Sequence, residues 1–397
     1  TNVRGDPIGR LVYGRSYLAR NDAVPFDPIE LPLSNRTYET ARFGGFFGAI
    51  RDSMPDHWGS LVIDRVLGAP QKPIDYLLNG PDDRIGALSF GHNATPPPPA
   101  KPFNKTLDLE RLKDLADQII ADEVPKGGDS AAQVERLMLL GTSMGGARPK
   151  ASVEDRYGQW LAKFNKEGRD RWNFARVECA MLALARECGI RTPDSKVVKL
   201  GDRDVLMVRR FDRIKATGKM KGYRRGRMLS AVTLLGGDEG DRDRWSYLLL
   251  ADEIRRISAE PEKQLHELFR RMVFNALISN TDDHPRNHAV LAMGNEWELS
   301  PAYDLTPAPS FSHERDLAMQ VGLYGRSATS SNLVSASERF MISKEDANSI
   351  IETMADQIRA TWEQAAKRKR VTAADRNRIS SAFVHEGFTA NFELQSS

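Results

Sequence analysis

The spacing of apolar residues changes along this chain, and that change limits the possible folds more than any single motif. Short strand-like segments, residues 159–164 (QWLAKF) and 205–211 (VLMVRRF), occur in the first part. From about residue 245 onward, helical spacing dominates. A wide apolar stripe of that spacing comprises Leu265, Leu268, Phe269, Met272, Val273, Ala276 and Leu277. The sequence therefore predicts an α+β protein in which a small strand-rich unit precedes a large helical unit.

The length of the chain and one proline-rich stretch suggest its division into domains. The chain has 397 residues, which is too many for one ordinary hydrophobic core. Residues 95–102 (TPPPPAKP) have the composition of a stiff connector. We predict an N-terminal subdomain over residues 1–94, a linker over 95–105, a strand-rich lobe over 106–215 and a helical lobe over 216–397.

Local patterns predict further elements and loops. Residues 46–67 have helical spacing that is interrupted at Pro55, and residues 173–188 have the spacing of a continuous helix. Residues 214–244 and 312–335 are rich in Gly, Ser and Arg, so we expect loops there.

The polar segment at residues 280–291 carries the most informative chemistry. It follows the apolar stripe, and it places Asn287 five residues after Asp282. Kinase catalytic loops share this spacing: the Asp orients the acceptor hydroxyl and the Asn binds Mg²⁺. The pattern is short enough to occur by chance, so Asp282 and Asn287 are candidates that need support from other residues.

Three further residues follow the order of a two-lobed kinase. Lys163 lies on a predicted strand, where its ammonium could reach phosphate groups, and Glu178 lies on the next predicted helix, where it could hold that lysine. Asp304 follows the polar segment and could bind Mg²⁺ through its carboxylate. Each residue alone could equally be a surface or turn residue. Their occurrence in this order favours a protein-kinase-like fold with two lobes and an extra N-terminal subdomain.

A glycine-containing turn lies upstream, at residues 141–151 (GTSMGGARPKA). Gly145 and Gly146 permit close approach of the backbone to phosphates. The turn matches neither the phosphate-loop pattern nor the G-x-G-x-x-G pattern, so its own signal is weak.

Four segments together resemble the HipA family, the kinase toxins of bacterial toxin–antitoxin pairs. Residues 46–56 (FFGAIRDSMPD) resemble the N-terminal FF-x-N-L-L-P-E segment of the family, and residues 143–150 (SMGGARPK) resemble its S-V-A-G-A-Q-E-K loop. Residues 210–213 (RFDR) are identical to its R-F-D-R motif, and residues 281–287 (TDDHPRN) are similar to T-D-x-H-x-K-N. In the loop, Arg148 and Pro149 replace the usual Gln-Glu.

The resemblance implies specific roles for residues of this chain. Asp282 would be catalytic, Asn287 and Asp304 would bind Mg²⁺, and Ser143 would be the site of autophosphorylation that switches the enzyme off. The residues expected to contact ATP are Ser143, Met144, Gly145, Gly146, Ala147, Lys150, Lys163, Glu178, Arg209, Phe211, His284 and Asn287.

The resemblance also implies partners and an acceptor. It predicts an ATP- and Mg²⁺-dependent Ser/Thr protein kinase whose acceptor is a protein, for which an aminoacyl-tRNA synthetase is the expected class. It predicts a HipB-like helix-turn-helix antitoxin as partner, through which the chain would meet operator DNA. The alternatives are a small-molecule kinase and a pseudokinase that acts as a corepressor. A zinc hydrolase using His284 and His288 is disfavoured, because the H-E-x-x-H pattern is missing.

Composition bears on location rather than on chemistry. The formal net charge of +3 does not by itself imply nucleic-acid binding.

Cys179 and Cys188 lie nine residues apart on one predicted helix. They face opposite sides of it and are roughly 13 Å apart, which is too far for a disulfide. With no signal-like start and no long apolar run, we expect a cytoplasmic protein without a membrane segment.

Overall fold

The structure is a computed structural model. It describes residues 5, 7–80, 82–93, 104–105, 108–120, 148–165, 170–218, 222–237 and 240–389. The chain divides into two compact units. The first comprises Thr1–Trp160, Arg210–Glu239 and Ala289–Trp297, and the second comprises Leu161–Arg209, Gly240–His288 and Glu298–Ser397.

Helices and strands are numbered here in chain order over the described residues. The α-helices α1 to α12 are Arg15–Leu18, Gly48–Asp52, His57–Leu67, Pro73–Asn79, Leu109–Ile120, Phe174–Glu187, Ala231–Leu234, Tyr247–Ile257, Pro261–Leu277, Ser330–Ser335, Lys344–Arg368 and Ala373–Ile379. The strands β1 to β12 are Gly9–Leu11, Tyr38–Thr40, Asn104–Lys105, Lys150–Asp155, Gly158–Phe164, Ser195–Leu200, Arg203–Arg209, Arg213–Lys215, Tyr223–Arg225, Arg227–Ser230, Ala289–Ala292 and Glu298–Leu299.

The first unit is built from short strand pairs and small helices. The pairs β1–β2, β8–β9 and β10–β11 are antiparallel, whereas β3 and β4 are parallel, and β4 neighbours the start of β5. A cluster of Tyr13, Leu31, Tyr38 and Phe47 forms one apolar core near the N-terminal strands. Its aromatic rings supply much of the apolar area that this small region can bury.

The R-F-D-R motif forms a buried ionic cluster in the first unit. The carboxylate of Asp212 accepts hydrogen bonds from Arg210 (2.8 Å), from Arg213 (2.7 Å) and from the backbone N–H of Gly86 (3.1 Å). The two arginines also donate to the backbone carbonyl of Arg84. The motif thereby anchors residues 84–86, because buried charges are tolerated only when they are paired and hydrogen-bonded.

The core of the second unit centres on α9. Its predicted apolar stripe is confirmed, since all seven of its members are fully buried. Helix α8 packs against α9, and α11 packs against both α9 and α6. The strands β6 and β7 form an antiparallel hairpin in which Ser195 pairs with Val208, and β7 neighbours the end of β5.

Several other predictions from local patterns are confirmed. The helical segment at 46–67 forms α2 and α3, with the predicted break between them. Helix α6 begins after Asn173, whose side chain accepts a hydrogen bond from the backbone N–H of Arg176 and so caps the helix. Gly189 follows α6 with a φ of 78°, a conformation that glycine adopts without strain.

The expectation of loops at residues 214–244 and 312–335 is wrong in part. Strands β9 and β10 and helix α7 lie in the first segment, and α10 lies in the second. Strand β10 forms because Leu229 is buried and because Ser230 donates to Asp52 and caps α7. Pairing across long sequence separations stabilises these elements despite a loop-like composition.

Two sequence predictions, that the chain has no membrane segment and that its two cysteines form no disulfide, can be compared with the described residues. Within them, no helix is long and apolar enough to cross a membrane. Cys179 and Cys188 are both buried free thiols. The predicted linker over residues 95–105 lies outside the described residues, apart from the short strand β3. The domain boundaries predicted from the sequence remain predictions.

Candidate functional site

The second unit joins three predicted site residues at one buried ammonium group. Lys163 lies on β5, and its Nζ is 2.6 Å from Oε1 of Glu178 on α6. The same Nζ contacts the carboxylate of Asp304, in the segment after β12. The lysine and the glutamate are buried, and the aspartate is partly exposed. Three distant parts of the chain therefore meet at Lys163.

The charge state of Lys163 follows from these contacts. Burial by itself lowers the pKa of a lysine, because it removes water from the charged form. The carboxylates of Asp304 and Glu178 outweigh that effect and raise the pKa of Lys163 above its ordinary value. The ammonium therefore stays positively charged at neutral pH, which is the state needed to attract a phosphate oxygen.

Asp304 has an unusual backbone conformation. Its φ is 56°, in the left-handed region, where Asp and Asn are among the few residues other than glycine that occur often. Its carbonyl oxygen accepts a hydrogen bond from Nδ2 of Asn280 at 3.4 Å. Strained residues tend to cluster at functional sites, and here the conformation accompanies the contact with Lys163.

The segment that carries Asp282 and Asn287 follows the end of α9. Ser279, two residues past the end of α9, has a φ of 50°, and its hydroxyl donates to the carbonyl of Ala382 at 2.7 Å. Asp282 is exposed. Nδ2 of Asn287 donates to the carbonyl of Asp282 at 3.0 Å, so the two candidates share one short hydrogen-bonded loop.

His284 lies inside this loop and contributes backbone hydrogen bonds to it. Its backbone N–H donates to Asp282 at 2.9 Å, and its carbonyl accepts from Asn287 at 2.8 Å. The ring lies 6.3 Å from that of Trp245, edge to face. Among the described residues Nδ1 of His284 is buried without a hydrogen-bond partner, so it remains available to a ligand.

Lys150 has a buried partner in the first unit. Its Nζ lies 2.6 Å from Oδ2 of Asp56, and both side chains are almost fully buried. Its carbonyl oxygen accepts a hydrogen bond from Nε1 of Trp58. Both the ammonium and the carbonyl oxygen of Lys150 thus have partners in the first unit. Its predicted contact with ATP remains a prediction.

The other predicted ATP contacts occupy different settings. Arg209 ends β7 as an exposed residue, and its backbone N–H donates to the carbonyl of Asp194 at 2.8 Å. Phe211 belongs to the first unit and is partly exposed. The remaining five candidates lie outside the described residues: Ser143, Met144, Gly145, Gly146 and Ala147.

Sequence patterns did not predict that polar residues lie buried together behind the loop, and His288 was considered only as a ligand in the disfavoured zinc hydrolase. Asp283 and His288 are paired there, with Nε2 of His288 at 2.5 Å from Oδ1 of Asp283. Both contact the hydroxyl of Tyr247, which is 36 residues upstream of Asp283. In the sequence, Asp283 and His288 are marked only as polar residues that directly follow Asp282 and Asn287.

The candidate metal donors suit Mg²⁺. This ion prefers hard oxygen ligands, and it commonly takes one or two protein carboxylates while phosphates and water complete the shell. Asp304 offers a carboxylate. Because Nδ2 of Asn287 is used by the Asp282 carbonyl, the amide oxygen of Asn287 is the atom that can bind a cation. Within the described part of the chain, no group of three or more His, Cys, Asp or Glu side chains could hold a metal.

Lys163, Glu178 and Asp304 are thus in contact, and Asp282 and Asn287 share one loop, on a fold of helices and sheets. The model of the HipA-like C-terminal domain matches residues 142–362, which is more than half of the chain. The chain therefore belongs to this family.

A solved structure agrees with that assignment at the level of the fold. HipA of Shewanella oneidensis MR-1, in a toxin–antitoxin complex with HipB and operator DNA, superposes with a TM-score of 0.68 at 16% identity. The match covers 94% of this chain and 89% of that one, so the two share a fold. The proinflammatory kinase CtkA of Helicobacter pylori matches with a TM-score of 0.39 at 13% identity, over 57% of this chain and 93% of that one. That similarity is too low to support a structural argument.

Proposed function

We propose that this protein is an ATP- and Mg²⁺-dependent Ser/Thr protein kinase that acts as a HipA-like toxin. The observation that carries the proposal is the buried ammonium of Lys163, held by Glu178 and Asp304. A strand lysine paired with a helix glutamate, beside an aspartate suited to Mg²⁺, is the arrangement that protein kinases use for phosphoryl transfer.

The proposed roles follow from chemistry and position. Lys163 contacts phosphate oxygens of ATP and offsets the charge that develops on the transferring phosphoryl group. Asp282 is exposed, so an acceptor hydroxyl can reach it, and its carboxylate orients that hydroxyl and accepts its proton. When bound, Mg²⁺ would neutralise phosphate charge, held by Asp304 and by the amide oxygen of Asn287.

The backbone at Arg209–Phe211, together with His284, is proposed to contact the nucleotide. Ser143 is the proposed site of autophosphorylation, and Met144 to Ala147 and Lys150 the proposed cover of the phosphates. These assignments rest on the family motifs. For His284 there is also a structural reason, since a buried nitrogen without a partner favours a ligand that can supply one.

The proposed partners come from the family and from the solved relative. HipA of Shewanella oneidensis was solved with HipB and operator DNA. We propose a HipB-like antitoxin as the partner of this chain, with operator DNA contacted through that complex. A protein is the proposed acceptor, and an aminoacyl-tRNA synthetase is the class that we would test first.

Intact-mass spectrometry tests the proposal directly. Purified protein is incubated with Mg²⁺ and ATP beside Asp282→Asn and Ser143→Ala variants. A gain of one phosphate in the wild type, lost in both variants, is the expected result. A phosphate gained by the Ser143→Ala variant would mean that a residue other than Ser143 is modified. A phosphate gained by the Asp282→Asn variant would contradict the catalytic role of Asp282.

Two further measurements separate the alternatives. Titration calorimetry with ATP and Mg²⁺ should show binding in the wild type and in Asp282→Asn, because that substitution leaves Lys163 and Asp304 in place. ATP binding without phosphotransfer to any protein or small-molecule acceptor would indicate the pseudokinase corepressor. Transfer to small hydroxyl compounds alone would indicate the small-molecule kinase.

A further inference from the structure

A buried polar network lies behind the catalytic loop, centred on the hydroxyl of Tyr247. The hydroxyl donates to the Asp283 carboxylate and accepts a hydrogen bond from Nδ2 of Asn275 at 3.1 Å. Nε2 of His288 lies 3.2 Å from the same hydroxyl and 2.5 Å from Oδ1 of Asp283. All four residues are buried. A buried network whose members satisfy one another favours a single arrangement.

The hydroxyl of Tyr247 is suited to act as a fixed donor. Burial and the neighbouring carboxylate of Asp283 raise the pKa of Tyr247 well above its ordinary value. The phenol therefore stays protonated, and its proton is directed to Asp283. Tyr247 is the first residue of α8, and Ser246 caps that helix with hydrogen bonds to two backbone N–H groups. The hydroxyl consequently projects from a rigid element rather than from a loop.

One branch of the network, formed by Asp283 and His288, holds the two ends of the catalytic loop together. Asp283 directly follows Asp282, and His288 directly follows Asn287. The bond between Asp283 and His288 therefore joins the two ends of the segment that carries both candidate residues. Fixing Asp283 in the interior also fixes the backbone from which the exposed Asp282 projects.

The other branch reaches Asp304. Oδ1 of Asn275 accepts a hydrogen bond from Nδ2 of Asn280 at 3.1 Å. Nδ2 of Asn280 also donates to the carbonyl of Asp304 at 3.4 Å. A continuous chain of hydrogen bonds thus runs from Tyr247 to the left-handed residue that contacts Lys163.

We infer that Tyr247 is a positioning residue that holds the catalytic loop and Asp304 in one arrangement, through the Asp283–His288 branch and the Asn275–Asn280 branch. The inference rests on the proposed phosphotransfer function. It differs from a packing role, because a phenylalanine ring fills nearly the same volume and lacks only the hydroxyl that joins the two branches.

The test compares Tyr247→Phe with Tyr13→Phe. Tyr13 is a matched control, since its buried hydroxyl donates to one carbonyl, that of Leu31, at 2.7 Å in the first unit. With Tyr247→Phe we expect kcat to fall about ten- to hundred-fold and the KM for ATP to stay within about twofold, because a small misplacement of reacting groups slows the chemical step. Tyr13→Phe should keep the wild-type values. Equal rates in Tyr247→Phe and the wild type would overturn the inference.

Hydrogen–deuterium exchange provides a measurement that does not need activity. Tyr247→Phe should accelerate amide exchange in residues 280–288 and 303–305 and leave the rest of the second unit unchanged. Unchanged exchange in those two segments, or a uniform increase across the unit, would overturn the positioning role. If the wild type transfers no phosphoryl group, the proposed function fails, and the exchange result still decides the role of Tyr247.

The two branches make different predictions. Asp283→Asn should lower kcat with little change in the Mg²⁺ concentration for half-maximal rate. Asn280→Ala should raise that Mg²⁺ concentration, about threefold or more, because it releases the Asp304 backbone. Identical effects in the two variants would contradict the division into branches.

Discussion

Lys163 and Glu178 form a buried ion pair, with 2.6 Å between Nζ and Oε1. Because Asp304 contacts the same ammonium, one positive charge joins a strand, a helix and the segment that is proposed to bind metal. The ammonium has three N–H donors, so the two carboxylates fix the direction of two of them and one is left for a phosphate oxygen. The position of Glu178 therefore bears on nucleotide binding as directly as that of Lys163.

Glu178→Gln should reduce phosphotransfer by about ten- to hundred-fold, the size expected for loss of one charge-assisted hydrogen bond to a buried group. The matched control is Glu187→Gln on the same helix. The Glu187 side chain pairs with Arg368 at the surface, where ion pairs contribute little. Steady-state rates over a range of ATP concentrations check both variants, and equal losses in the two would contradict the role of Glu178.

Two substitutions at Asp304 should separate backbone strain from charge. Asn tolerates a left-handed backbone, whereas Ala at a φ of 56° should cost about 1 kcal/mol more. Both variants remove the negative charge from Lys163, so the difference between their free energies of unfolding in urea contains the backbone term together with the hydrogen bond that the Asn amide oxygen can still accept from Lys163. Both should also lose Mg²⁺-dependent activity. Equal stability of the two variants would argue against strain at this position.

Asp212→Asn should destabilise the protein by about 3–5 kcal/mol, since it leaves two buried arginines without their carboxylate. The control is Asp22→Asn, which removes an exposed partner of Arg20 and should have no measurable effect. Urea unfolding followed by circular dichroism at pH 7 measures both.

The pH dependence of this effect has a definite sign. Burial alone would raise the pKa of Asp212, but Arg210 and Arg213 outweigh it and hold the pKa well below its ordinary value. The stability that Asp212 contributes is therefore fully present above the pKa of an unfolded Asp, about 3.9, and is lost as the pH falls through the lower folded value. The stability difference between wild type and Asp212→Asn should therefore be constant from about pH 5 to 7. A steady decline of that difference across this range would contradict the lowered pKa of Asp212.

The two thiols should be unreactive in the folded protein. Burial raises the pKa of Cys179, and burial followed by the charge of Glu187 raises the pKa of Cys188 to about 12. Because the thiolate is the nucleophile, iodoacetamide at about pH 8 should label neither cysteine in native protein and both in denaturant. Mass spectrometry counts the labels, and rapid native labelling would show that α6 opens readily.

Periodic elements were predictable from the sequence because their signal is local. The stripe from Leu265 to Leu277 repeats with the period of a helix, and burial of one face of α9 follows from that period. The strand at 159–164 and the helix at 173–188 were predictable for the same reason. Lys163 and Glu178, on these two elements, could be proposed as a pair from their order and spacing, and the folded chain brings their side chains together.

The sequence by itself determined the strongly periodic elements, the membership of the chain in the HipA-like family and the order of the candidate residues. Only the tertiary structure decided which polar side chains are buried together. Tyr247 meets Asp283 across 36 residues, Asp56 meets Lys150 across 94, and Gly86 meets Asp212 across 126. Such contacts leave no periodic trace in the sequence, because a hydrogen bond requires a distance and an angle that only the packing of the remaining chain creates.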